Sequence, residues 1–301
     1  MPGKEHRWGI ILAGGEGKRL REFIRKRYGT DRPKQYSAII GKRSMLRHTL
    51  DRVKKILPIK QLRIVASRKH RKYLSEDLKE REQKSVLIAP EDRESAASVY
   101  LALSYIHFRD PEAVVAVFPS DHFIGEEERF IKYVEQAISF IENHPPYVVL
   151  LGVKPTDANP EYGWITPSKN FLLHNGNRFF KVTDFYEKPT LEHAQKLLDK
   201  GCLWNSMVLA AKSDTLVKMY RKHLKSIYDA FKMGKTVYGT GEEERFLIDA
   251  FDNIPSKSFS KCVLEEIPES LFVLRLEGVL WSDWGNKEQV MKDLESLGLV
   301  H

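Results

Sequence analysis

A doubly wound α/β fold, with a mostly parallel mixed sheet and helices on both faces, is predicted by three features of the sequence. Short, nearly continuous apolar runs alternate with amphipathic stretches through the first half of the chain, as expected for strands buried on both faces by crossover helices. The first run, Ile10 to Ala13, breaks into the glycines Gly14, Gly15 and Gly17, with Lys18 and Arg19 directly behind the last of them. Asp121 and Asp283 each stand just past a later apolar run, at strand ends, where open α/β sheets bind their ligands.

Taken in order, 10–13 reads as a strand and 44–57 as a helix with Met45, Leu46, Thr49, Leu50, Val53 and Leu57 on one face. Strands at 62–66, 85–89, 113–118 and 147–153 alternate with helices at 69–82, 95–108 and 127–142. After Lys154 the texture changes, punctuated by Pro155, Pro160 and Pro167. Short strands are predicted at 163–166 and 178–186, a helix at 191–200 and a core segment at 204–211. Helices at 215–233 and 242–251, strands at 271–276 and 279–281 and a helix at 287–297 complete the chain. We expect one unit over 1–301: a nucleotide half, about 1–153, and a partner-binding half, about 154–301, that returns to the same sheet.

The formal charge of +8 favours anionic partners. The cations are spread along the chain with no basic tail and no aromatic-interleaved stripe, which excludes nucleic acid as the main ligand. Small phosphorylated molecules fit better. No run approaches the ~18 apolar residues of a membrane span. The stretch Met1 to Arg7 is charged and has no apolar core of a secretory signal. Cys202 and Cys262 have no pairing or ligand spacing and read as core thiols. A cytoplasmic protein is expected, its assembly into a homo-oligomer left open. The histidines, His122 among them, show no metal spacing and read as structural or surface residues.

Three loop chemistries compete for 14–20. A Walker loop needs G-x-x-x-x-G-K-[ST], but Lys18 is followed by Arg19 and the glycine spacing is wrong. A dinucleotide loop needs G-x-G-x-x-G, but Leu20 takes the third position. The third pattern, L-A-G-G-x-G-x-R-L followed by P-K, is filled throughout, by Leu12, Ala13, Gly14, Gly15, Gly17, Arg19, Leu20, Pro33 and Lys34. Glycines let backbone N–H groups converge on phosphate. Each cation at 4 Å from a phosphate charge contributes roughly 4 kcal/mol at an effective dielectric of 20. The connector 21–32 carries five more cations; closure over a pyrophosphate and a solvated mobile loop fit it equally.

Asp121, past a buried run, suits a hard cation bridging phosphates or an N-cap. Asp283, in Trp281-Ser282-Asp283-Trp284-Gly285, offers the same two readings, and together the pair fits a Mg²⁺ site of few carboxylates plus phosphates and water. Glu187 and Lys188, adjacent before Pro189, suit sugar hydroxyls and a sugar phosphate, or an exposed turn. Gly163 in Tyr162-Gly163-Trp164-Ile165 and Asn205 in Trp204-Asn205-Ser206 are weak signals alone.

Assembled, these motifs resemble the sugar-1-phosphate nucleotidyltransferases, and most of all the mannose-1-phosphate guanylyltransferases. Pro90-x-x-Arg93-x-Ser95-Ala96 and Phe118-Pro119-Ser120-Asp121-His122 join the list, in family order from residue 8 to 285. The resemblance implies a Rossmann-like nucleotidyltransferase fold that joins an NTP, GTP by this likeness, to a sugar-1-phosphate with release of pyrophosphate. It implies that Gly14, Gly15 and Gly17 hold the nucleotide phosphates, with backbone of Leu12 and Ala13 at the base. Arg19 and Lys34 would bind and activate the triphosphate, and Asp121 and Asp283 would hold Mg²⁺. Gly163, Glu187 and Asn205 would orient the sugar, and Lys188 would hold its phosphate. Neither the β-helix nor the isomerase domain of some relatives is expected. Three positions depart from the family: Lys18 replaces Thr, Ser206 runs into Met207 without the usual Gly, and Ser258 to Lys261 lacks an acid. A methylerythritol-type cytidylyltransferase shares 33–50, and an inactive nucleotide-sugar sensor would share the altered motifs.

Overall fold

The computed structural model describes residues 3–29 and 31–299. In chain order its strands are β1 (Arg7–Ala13), β2 (Leu62–Ser67), β3 (Val86–Ala89), β4 (Val114–Pro119), β5 (Phe123–Ile124), β6 (Val148–Val153), β7 (Gly163–His174), β8 (Asn177–Glu187), β9 (Leu203–Lys212), β10 (Leu271–Leu276) and β11 (Trp281–Ser282). Nine form one sheet, ordered β3-β2-β1-β4-β9-β6-β10-β8-β7, in which only β8 and β9 run against the rest. Strands from both halves of the sequence therefore share one sheet.

Side chains alternate across it with the period of two that a strand imposes. Ile10, Val115, Val117 and Leu150 face one core, built with helix Glu94–Arg109. Ile11, Val114, Val149 and Leu151 face the other, built with helices Met45–Val53 and Glu127–Asn143. Each such buried Val, Leu or Ile contributes about 1.5–3 kcal/mol. Helix Met45–Val53 starts where Ser44 Oγ accepts from Arg47 N at 2.9 Å, an N-cap.

Several elements differ from expectation. The helix expected over 69–82 is two, Arg71–Asp77 and Glu80–Gln83. Buried Leu78 turns extended between them, and Glu82 caps the second by accepting from Lys79 N at 2.9 Å. The helix expected over 215–233 breaks at Leu224 (φ −134°, ψ 50°), which tucks into the core. The strands at 163–166 and 178–186 are parts of one long hairpin, β7–β8, turned by Asn175 and Gly176 at φ 47° and 79°. Two left-handed residues match the twist of a tight hairpin. The connector after Leu20 is a helix, Arg21–Tyr28, and not a loop. Leu20 and Ile24 anchor it in a third small core with Ile39, Met45, Trp284 and Val290.

The strand expected at 279–281 is instead β11, which pairs antiparallel with β5 outside the main sheet, Trp281 with Ile124 and Ser282 with Phe123. That ribbon matters most for function. It carries Asp283 from the far end of the chain to Asp121.

Candidate active site

A cleft of about 650 Å³ opens beyond the carboxyl ends of β1 and β4. Leu12, Gly14 and Gly15 line one wall, and Glu187, Lys188 and Met207 another. It continues outward past Asp121 to Gly17, Lys18, Arg19 and Gly285.

The glycine loop is held from below. Gln35, buried, donates through Nε2 to the carbonyls of Ala13 (2.9 Å) and Gly15 (2.7 Å), and Tyr36 Oη donates to Ala13 O at 3.0 Å. Gly17 is left-handed at φ 60°, and a Cβ there would lie 2.9 Å from Lys34 Cβ. Glycine is thus needed twice at one position, for conformation and for approach. Ala13 is buried with its carbonyl already taken, so it supports the loop from beneath while Leu12, Gly14 and Gly15 face the cleft.

Lys34 is 5% exposed. Its Nζ lies 2.8 Å from Asp121 Oδ2 and donates to the backbone carbonyl of Asp283. Burial pushes the Asp121 carboxyl up, but the Lys34 ammonium and the neighbouring His122 outweigh it and hold the group below its usual range. About a third of the Asp121 side chain remains open to the cleft. Asp283 is 8% exposed. Its Oδ1 accepts from Tyr162 Oη at 2.5 Å and Gly285 N at 2.9 Å, and its Oδ2 from Arg19 Nη2 at 3.2 Å. Burial and then the Asp283 charge push the Tyr162 phenol up, which keeps it a donor. Arg19, half exposed, also meets Glu161 at 3.5 Å.

His122, read as a structural or surface residue, stands at the cleft. It lines the cleft perpendicular to the Trp281 ring, centroids 5.2 Å apart, and its Nδ1 has no hydrogen-bond partner among the described residues. Burial holds its imidazole below the usual range, hence neutral at pH 7.

Across the cleft, Glu187 ends β8 opposite Gly163 of β7. A Cβ on Gly163 would meet Glu187 Oε2 at 2.8 Å, Phe185 at 3.1 Å and Asn205 Cβ at 3.2 Å, so glycine here is a matter of room. Burial pushes Glu187 up to about 7, with the Lys188 charge opposing and Glu265 adding to the rise. Lys188 is left-handed at φ 51°, with its N–H donated to Tyr162 O at 3.2 Å. Asn205 is buried, its Oδ1 accepting from Met207 N at 3.1 Å. The structure therefore brings every nominated residue to one cleft or directly beneath it. Sequence reasoning missed Gln35 and Tyr162 as supports. Both lie inside quoted motifs, but the atoms they hold are set by tertiary structure.

A glycine loop at a strand end, one buried and one half-exposed cation and two carboxylates at the same crevice define a phosphate-handling α/β protein. Residues 8–296 match the nucleotidyl transferase family, and the chain belongs to it. The mannose-1-phosphate guanylyltransferase of Salmonella montevideo is 30% identical over 302 residues, 97% of this chain and 61% of that protein. The xanthan biosynthesis protein XanB of Xanthomonas campestris pv. campestris (strain B100) is 30% identical over 295 residues, 96% of this chain and 60% of that protein. The chain thus spans about three fifths of the length of these curated relatives. Among solved structures, mannose-1-phosphate geranyltransferase from Thermus thermophilus superposes with a TM-score of 0.80 at 24% identity, covering 95% of this chain and 79% of that one. That likeness bears on the fold. Among the described residues no helix is long and apolar enough to cross a membrane.

Proposed function

We propose that this chain transfers a nucleotidyl group from GTP to mannose-1-phosphate, giving GDP-mannose and pyrophosphate. The observation that carries it is one cleft with Gly14–Gly17, Arg19, Lys34, Asp121 and Asp283 on one side and Glu187 and Lys188 on the other. The curated relatives' names support the same substrates.

In this reaction a phosphate oxygen of the sugar-1-phosphate bonds to the α-phosphorus. The α–β bridging P–O bond breaks, and its electron pair leaves with pyrophosphate. The attacking oxygen is anionic at neutral pH, so no general base is required, only positioning and charge neutralisation. Lys34, fixed by Asp121 and the Asp283 carbonyl, is a point charge for the phosphates. Arg19 grips them bidentately once it swings off Asp283, which its half-exposed position permits. Lys188 holds the sugar phosphate and Glu187, packed against Gly163, orients the sugar, while Asn205 backs the same wall through its bonds to Met207.

A divalent cation fits the donors present. Asp121 offers Oδ1 to the cleft, 3.8 Å from His122 Nε2. Asp283 gains a free Oδ2 when Arg19 moves to phosphate. Two carboxylates, with phosphates and water completing the shell, suit Mg²⁺. When bound it neutralises the phosphate charge. A panel of NTPs against sugar-1-phosphates with Mg²⁺, read as pyrophosphate release, tests the proposal. Among sugar-1-phosphates that keep all their ring hydroxyls, strongest turnover is expected with GTP and mannose-1-phosphate. Turnover with CTP alone, or binding without turnover, contradicts it.

A further inference from the structure

Met207 lies in a bulge of β9, between Asn205, which pairs with Gly152 of β6, and Leu209, which pairs with Leu150. Its φ is 59°, a left-handed conformation that glycine takes freely and that costs any residue with a Cβ. Bulges beside active sites re-aim side chains. Met207 lines the cleft beside Glu187 and Lys261. There its thioether is the partner of two donors. Ser260 Oγ, in a residue 1% exposed, donates to Sδ at 2.9 Å, and Asn205 Nδ2, in a residue 4% exposed, donates to it at 3.4 Å. The Glu187 carboxyl is a second acceptor for Ser260 and sulfur is a weak one, so it is above all the Asn205 amide, a donor suited to a ligand hydroxyl, that is covered by a soft apolar side chain.

Resting on the proposed transfer to a sugar-1-phosphate, we propose that Met207 is the specificity-determining residue of the acceptor side. By capping Asn205 and Ser260 it selects a sugar phosphate whose ring edge at that point presents hydrogen or methyl in place of hydroxyl, a deoxysugar 1-phosphate. A hydroxyl set against the thioether loses its water without gaining a good partner; a deoxy edge loses nothing. The preference is bounded, because an apolar pocket rejects an added hydroxyl by only about a hundredfold.

The test measures kcat/KM for mannose-1-phosphate and each of its monodeoxy analogues in the wild type, Met207→Gly and Met207→Ala. In the wild type one analogue is expected to exceed the parent by about fivefold or more, and in both variants the parent recovers by about tenfold. Alanine keeps the left-handed strain but removes the thioether. A shift in the glycine variant alone would assign the effect to the backbone and overturn the proposal. So would a wild type that prefers the parent over every analogue, or ratios unchanged in the variants. Calorimetric titration of the same compounds onto protein loaded with a non-hydrolysable GTP analogue reads the ratios without turnover. The expected ratios in binding with no transfer would overturn the reaction while leaving Met207 as the selector.

Discussion

Lys34 Nζ joins Asp121 Oδ2, at 2.8 Å, to the backbone carbonyl of Asp283, so one buried ammonium ties the loop after β4 to the segment after β11. Removing it leaves Asp121 without its cation and loosens the segment bearing Asp283. Lys34→Met is expected to cost about 1–3 kcal/mol of stability and at least about a hundredfold in kcat. Thermal melts and pyrophosphate release measure both. Near-wild-type turnover would remove Lys34 from the triphosphate site.

The two aspartates carry different structural burdens. Asp121 faces the cleft, whereas Asp283 is buried beneath donors from Tyr162, Gly285 and Arg19. Asp121→Asn is expected to lose at least about a hundredfold in activity and about 1 kcal/mol of stability, because asparagine keeps an oxygen for the buried Lys34 ammonium but not the charge. Asp283→Asn should lose activity and about 1–3 kcal/mol of stability as well. Equal melting temperatures for the two variants would contradict this difference.

Glu187, raised from 4.5 to about 7 by burial, holds a proton in the folded chain over a range where the unfolded chain has released it. Its contribution to stability is complete below pH 4.5 and is lost as pH rises through 7. Glu187→Gln does not titrate, so its melting temperature relative to wild type should climb between about pH 5 and 7 and then level off. A constant difference across that range would show that Glu187 titrates as an ordinary carboxylate.

Much of this was legible in the sequence because local chemistry announces itself. The apolar run into Gly14, Gly15 and Gly17 gave strand and loop together, and Ser44 marked a helix start. What was illegible depends on distant partners. Leu78 and Leu224 read as helix interior by periodicity, but core packing turns them into breaks. A strand was expected near β11, but its pairing with β5, far away in sequence, has no local signal, and that pairing brings Asp283 to Asp121. Met207 was visible as an altered motif; its φ and its grip on Asn205 and Ser260 were not.

Gly163 tests the acceptor wall. A methyl there meets Glu187, Phe185 and Asn205 within 3.2 Å, so Gly163→Ala should raise KM for the sugar phosphate by about tenfold while KM for GTP holds. Equal change in both constants would mean that the wall serves the whole cleft and not the sugar alone.

The central claim is nucleotidyl transfer at this cleft, and α-phosphate-labelled GTP tests it most directly. Incubated with mannose-1-phosphate and Mg²⁺, the label should move into GDP-mannose with an equal yield of pyrophosphate, and Lys34→Met should abolish the transfer. Label that stays in GTP while the chain binds both GTP and GDP-mannose would contradict the account.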